Sequence, residues 1–250
     1  MSDRRNVTYL YDGSFEGLLC TVFEIFSLHL FPSAIESTQF GQQSLDCDYV
    51  YVENNPEKAN RVVRKIAEAA GKTELKRIYR CFLSENNGRE MDIFNYIRAC
   101  LKFGPTVYKR LTIDCINTVV STARTVGGEA HLYTGFVRFS ELENGVCYGA
   151  VEPKHDILPL LAPHFIRRYV NMPFIIHDII RNRCLVYNGS EYGIFETENM
   201  PRLTLSDTEK NYRNLWKSFY DTIAIAERKN EKCRMTHLPK HYRRCMTEFF

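Results

Sequence analysis

The apolar positions of the chain change period along its length, and the changes mark its elements. Residues 7–11, Val-Thr-Tyr-Leu-Tyr, are a run of β-formers and predict a short strand. Asp12-Gly13-Ser14 is a turn in which Asp12 or Ser14 can cap the next element. Phe15, Leu18, Leu19, Val22, Phe23 and Phe26 then recur at helical spacing, up to Pro32. Residues 45–53 alternate weakly and predict a second strand. Asn54-Asn55-Pro56 opens a helix over about 57–70 that Gly71 ends. A further helix runs over about 73–84 until Asn86-Asn87-Gly88 breaks it. Helices over 89–103 and 106–124 follow, separated by Gly104-Pro105.

At Gly127-Gly128 the pattern changes, and the two glycines precede a predicted strand. Phe136-Val137-Arg138-Phe139 alternates, and Glu143-Asn144-Gly145 signals a hairpin into a strand from Val146 to Val151. Ile157 to Tyr169 reads as a helix that Pro159 and Pro163 constrain. Phe174 to Ile180 is a buried strand. Asn188-Gly189 joins Cys184–Tyr187 to Tyr192–Phe195 as another hairpin. Ser206-Asp207-Thr208-Glu209 has the form of a capping box, and Tyr212, Leu215, Trp216, Phe219 and Ile223 follow on one helical face. Runs of helices and runs of strands, rather than strict alternation, predict an α+β fold. Its helical N-terminal half packs with a small, mostly antiparallel sheet and a C-terminal helix. No linker or repeat divides 1–250, so it reads as one domain with sub-regions 1–126, 127–205 and 206–250.

Composition narrows the class. Hydrophobic residues are 44% of the chain and charged residues 25%, enough apolar area for a globular core. No apolar run approaches the ~18 residues of a membrane span, and none of signal-peptide type follows Met1. The expectation is a cytoplasmic protein without membrane contact. The nine cysteines include no C-x-x-C pair, which argues against a zinc ribbon, a thioredoxin-like motif or a cysteine-held cluster. The chain has no Walker A, G-x-G-x-x-G, G-x-S-x-G or H-E-x-x-H sequence. No cofactor or resident metal is therefore expected.

Charge is segmented. Residues 1–55 carry 2 basic and 8 acidic side chains, and residues 56–126 carry 14 and 7. Residues 127–210 carry 8 and 11, and residues 211–250 carry 9 and 4. A net charge of +3 thus hides two basic blocks that could form a polyanion-binding face.

Two groups could carry chemistry. Glu129, His131, His164 and His177 are candidates for general acid/base work or, with Asp178 nearby, for a metal, although their spacing matches no metal template. As packed, hydrogen-bonded residues they would be structural. The second group is the tail: Arg228, Lys229, Arg234, Lys240, His241, Arg243 and Arg244, with Tyr242 among them. Phosphates need Lys and Arg, and unstacked bases need a flat ring. A solvated helix end would have the same composition.

Three stretches carry a resemblance. They are Tyr11-Asp12-Gly13-Ser14-Phe15-Glu16-Gly17-Leu18-Leu19; Gly127-Gly128-Glu129-Ala130-His131 with Gly135-Phe136-Val137-Arg138-Phe139; and Ile225-Ala226-Glu227-Arg228-Lys229-Asn230 with Leu238-Pro239-Lys240-His241-Tyr242. Leu160-Leu161-Ala162-Pro163-His164-Phe165 and Ile176-His177-Asp178 also fit. The chain resembles a bacterial family of DNA metabolism or repair proteins, a domain of unknown function. Its members are encoded beside a radical S-adenosylmethionine protein, and related domains are fused to uracil-DNA-glycosylase-like domains. The resemblance implies DNA binding with a radical-enzyme partner, the basic blocks holding phosphates. The chain lacks the C-x-x-x-C-x-x-C cluster motif, so radical chemistry would belong to that partner. The alternatives are an enzyme using the Glu/His group, or a protein adaptor docking through Tyr242, Phe249 and Phe250.

Overall fold

The computed structural model describes residues 6–38, 47–197, 204–223, 231–246 and 249. It forms two compact units, Met1–Val126 and Gly127–Phe250. The α+β class read from the sequence holds.

In the first unit, β1 (Asn6–Tyr11) is the middle of three parallel strands, between β2 (Ala34–Ser37) and β3 (Cys47–Tyr51). Tyr9 lies level with Ile35 on one side and Val50 on the other. A parallel strand buried on both faces reads as an unbroken apolar run, which is why β1 does not alternate. Helix α1 (Phe15–Leu28) connects β1 to β2. Ser14 caps it by accepting from the Gly17 N–H at 2.9 Å. Gly17 has a steric reason: a Cβ there would overlap the Asp12 carboxylate. The Asp-Gly-Ser stretch therefore knits β1 to α1.

Asn55 caps α2 (Pro56–Ala70) through the Glu57 and Lys58 N–H groups. Helices α3 (Lys72–Phe82) and α4 (Arg89–Phe103) and a 3-10 turn over Gly104–Lys109 follow. Leu18, Ile25, Ile66, Ile78, Phe94 and Ile97 fill the core they share with the sheet. The helices up to Phe103 are as predicted, but the one expected over 106–124 is that 3-10 turn, a break at 110–113 and a new helix from Asp114. The parallel sheet was not predicted: β2 is only four residues long and Glu36 and Ser37 make half of it.

The largest departure from the predicted elements is at Gly127-Gly128. No loop or strand starts there, because α5 runs without a break from Asp114 to Phe136. Ile116, Val119, Ala123, Val126, Ala130 and Tyr133 recur at alternating steps of three and four, and all are buried. Burial of that stripe outweighs the ~1 kcal/mol that each helical glycine costs.

The second unit carries a five-stranded sheet in the order β4-β5-β6-β7-β8. The strands are β4 (Ser140–Glu141), β5 (Cys147–Val151), β6 (Phe174–Asp178), β7 (Arg183–Tyr187) and β8 (Tyr192–Glu196). Only β5 and β6 pair in parallel, and α6 (Leu158–Arg168) joins them. Both predicted hairpins are present, with Gly145 and Gly189 at positive φ. Phe139, Phe165, Tyr169 and Phe174 stack as one aromatic group. Ser206 caps α7 (Asp207–Ile223) through the Glu209 N–H at 3.0 Å, as the capping box predicts. The apolar face of α7 stays exposed, Trp216 at 43%. Two short helices, α8 (Glu231–His237) and α9 (Lys240–Arg243), complete the unit.

Candidate nucleic-acid interface

In the first unit, α1, α2 and α4 present a surface on which cations and rings alternate. On α2, Arg61 and Lys65 are four residues apart and share a helix face. The Arg61 guanidinium lies 5.0 Å from the centre of the Phe23 ring, on α1. Phe23, Phe26, Arg61, Lys65 and Leu101 line a hollow of about 270 Å³. Beyond it, Phe26 packs on Phe94 and Phe94 on Phe31. The Arg98 guanidinium lies 4.9 Å from the centre of the Phe31 ring, which is 56% exposed. Lys102 follows one turn later, near the Phe103 ring, and Arg110 lies 4.3 Å from the same ring. Among the described residues, Arg61, Lys65, Arg98 and Lys102 pair with no carboxylate. Their charge is free for an external anion, and the exposed Phe31 ring offers a face for stacking. Each cation–ring contact contributes about 0.5–1 kcal/mol at such exposed sites.

This surface was only half legible in the sequence. The basic block 56–126 supplies the cations. The rings of Phe23, Phe26 and Phe31 come from the acidic block 1–55, so segment charge alone could not find it.

The four Glu/His candidates lie in the second unit, each with different partners. Glu129 is buried on α5. Its carboxylate accepts the Lys154 N–H at 2.8 Å and the His155 N–H at 3.0 Å, pinning the loop after β5. His131 is exposed, since two residues on a helix are about 200° apart. On a strand, as predicted, they would have shared a face. His164, on α6, has a buried Nε2 without a hydrogen-bond partner among the described residues. Burial holds its pKa below the ordinary value, and the charges of Arg168, Arg167 and His131 push the same way. His131 and His164 are thus the pair that the fold brings within electrostatic reach.

His177, on β6, is buried, and its Nδ1 lies 2.9 Å from the Tyr148 hydroxyl. Its Nε2 is buried without a partner among the described residues. Asp178 points to the opposite face. It accepts the Ile180 and Arg181 N–H groups and pairs with the Arg181 guanidinium. No cluster of three His, Cys, Asp or Glu able to hold a metal occurs among the described residues.

Burial holds the His177 pKa below its ordinary 6.5, with Asp178 opposing. An unfolded His177 therefore takes up a proton at a pH where the folded one does not. Between about pH 7.5 and 5.5 the unfolded state binds more protons, so stability should fall on acidification. His177→Asn should flatten that decline in thermal melts across the pH range. Parallel profiles for the two proteins would refute it.

Of the tail candidates, Arg228 and Lys229 lie outside the described residues, and Arg234 is placed on α8 by its backbone. Lys240 and His241 are exposed on α9. Arg243 serves the tail itself: its Nε donates to the Leu238 carbonyl at 3.1 Å and its guanidinium lies over Phe249. Arg244 reaches Glu152 at 3.3 Å but stays 72% exposed, an ion pair of little strength. Tyr242 is buried against Tyr133 and Phe136, so its ring is unavailable to a base.

The fold and this surface define a two-unit α+β protein with a cationic, aromatic face and, among the described residues, no helix long and apolar enough to cross a membrane. More particularly, the chain belongs to the family described as a domain of unknown function, DUF4130, which matches residues 87–248. The match starts just before α4 and leaves the parallel sheet outside it. No curated protein and no solved structure matches the chain.

Proposed function

We propose that this chain binds DNA and serves DNA metabolism or repair beside a radical S-adenosylmethionine partner. The observation that carries the binding is the α1–α2–α4 surface, where Arg61 and Arg98 lie over Phe23 and Phe31 without carboxylate partners. Unpaired cations supply phosphate contacts, and the exposed Phe31 ring supplies sequence-tolerant stacking. The role in DNA metabolism and the partner rest on the sequence resemblance. Lys240, His241 and Arg244, on the second unit, are phosphate contacts of their own in this reading.

Fluorescence anisotropy of labelled single- and double-stranded DNA across a salt series tests this. Affinity should fall as salt rises. Replacing Arg61, Lys65, Arg98 and Lys102 with Ala should lower the slope of log affinity against log salt by about 0.7 per lost contact on a single strand. Absence of binding at low salt, or an unchanged slope in the variant, would reject the surface.

A further inference from the structure

A cavity in the first unit differs in kind from the cationic surface. It holds about 740 Å³ and opens at the carboxyl ends of β1 and β2. Tyr11, Ile35, Glu36, Arg89, Glu90 and Met91 are among its walls. We infer that this cavity binds an unphosphorylated ribonucleoside.

The position is the first reason. In open parallel sheets ligands sit outside the carboxyl ends of the strands. Strand order β2-β1-β3 places β1 at the centre, with its chain continuing through α1 into β2. In dinucleotide-binding sheets, which share the strand–helix–strand step from β1 to β2 but have the order 3-2-1, an acid near the end of the second strand takes the ribose hydroxyls. Glu36 is the penultimate residue of β2. It is exposed and has no cation or hydrogen-bond donor among the described residues.

The second reason is the donor and acceptor inventory. The Tyr11 hydroxyl and the Arg89 Nε both donate to Oε1 of Glu90, at 3.2 and 3.1 Å. That leaves Oε2 of Glu90 free to accept. Arg89 is already committed, to Glu90 and to the face of the Phe82 ring at 5.3 Å. The cavity therefore offers carboxylate oxygens to a ligand that donates hydroxyl hydrogens. Met91 gives it an apolar wall for a base. Its volume lies in the ~300–1,000 Å³ range of small-molecule sites.

The third reason excludes phosphate. The turn from β1 to α1 lacks the glycine-rich sequence that cradles a pyrophosphate, and Asp12 occupies the start of the helix instead. Its Oδ1 accepts the Ser14 N–H at 2.9 Å and hydroxyl at 2.7 Å, and its Oδ2 accepts from Asn54 at 3.0 Å. With Glu36, Glu85 and Glu90 in the walls, a phosphate would meet net negative charge.

The full chain is titrated calorimetrically with adenosine, guanosine, cytidine and uridine. At least one should bind saturably. Its 2′,3′-dideoxy analogue and its 5′-monophosphate should each bind at least about tenfold more weakly. Glu36→Gln, a surface change whose folding is checked by circular dichroism, should weaken binding by a similar factor. Arg98→Ala should leave it unchanged, which separates this site from the DNA-binding surface. The inference is overturned if none of these nucleosides binds. It is also overturned if the dideoxy analogue or the monophosphate binds as tightly, or if folded Glu36→Gln keeps full affinity.

Discussion

Glu74→Ala should cost the first unit about 3–5 kcal/mol, the range for removing one partner of a buried ion pair. Glu74 lies on α3 and is 2% exposed. Its carboxylate accepts the hydroxyl of Tyr96, from α4, and pairs with Arg77 one turn along α3. Arg77 also donates to the Tyr96 hydroxyl at 3.3 Å and lies over the Tyr108 ring. Burial first, and then the hydrogen bond to Glu74, push the Tyr96 pKa far above its ordinary value, so the hydroxyl stays protonated and donates. Without the carboxylate, the Tyr96 O–H loses its acceptor, and the Arg77 guanidinium loses its counter-charge and keeps only the Tyr96 oxygen. Glu74→Gln keeps an acceptor for Tyr96 and loses the charge, so its cost should be intermediate. Urea unfolding followed by far-ultraviolet circular dichroism checks both. A loss under about 1 kcal/mol for Glu74→Ala would show that water or a rearranged side chain replaces the carboxylate.

The elements that the sequence announced are those whose signal is local. Ser14, Asn55 and Ser206 cap their helices by hydrogen bonds within three residues. Gly145 and Gly189 adopt the positive φ that their hairpin turns need. The elements that stayed hidden depend on distant partners. β2 is a strand because Thr8 to Tyr11 pair with it. The helix through Gly127-Gly128 persists because the stripe from Ile116 to Tyr133 is buried, a periodicity longer than any window that treats two glycines as a break.

The same division holds for chemistry. The motif residues around Asp12, Glu129 and Asp178 were legible as unusual, and in the fold each holds a loop or a turn. Asp12 fastens the β1–α1 turn, Glu129 the loop at Lys154 and His155, and Asp178 the turn after β6. A carboxylate that organises backbone N–H groups is as distinctive in sequence as one that works on a substrate. Only its partners tell the two apart. The cation–ring surface shows the converse: none of its residues is distinctive alone, and its character comes from helices meeting.

Asp178→Ala should unfold the second unit at a cost again of about 3–5 kcal/mol. The side chain is fully buried. Oδ1 accepts the Ile180 N–H at 3.0 Å and the Arg181 N–H at 3.2 Å, and Oδ2 takes the Arg181 guanidinium at 2.9 Å. That guanidinium goes on to the Pro153 carbonyl at 3.1 Å and the Lys154 carbonyl at 2.6 Å. Since Glu129 holds the N–H groups of Lys154 and His155, one chain of bonds runs from the turn after β6 to α5. Burial pushes the Asp178 carboxyl up, and Arg181 with the two N–H groups opposes it. All three donors need acceptor oxygens, so Asn is a poor substitute: its amide NH₂ would face Arg181. Asp178→Asn should therefore be nearly as costly as Asp178→Ala, whereas an isosteric swap at a tolerant site would cost little. The single tryptophan, Trp216, lies in this unit on α7, so its fluorescence follows the unfolding. A midpoint for Asp178→Asn equal to the parent's would mean that Arg181 finds its charge balance elsewhere and that the carboxylate does not organise the turn.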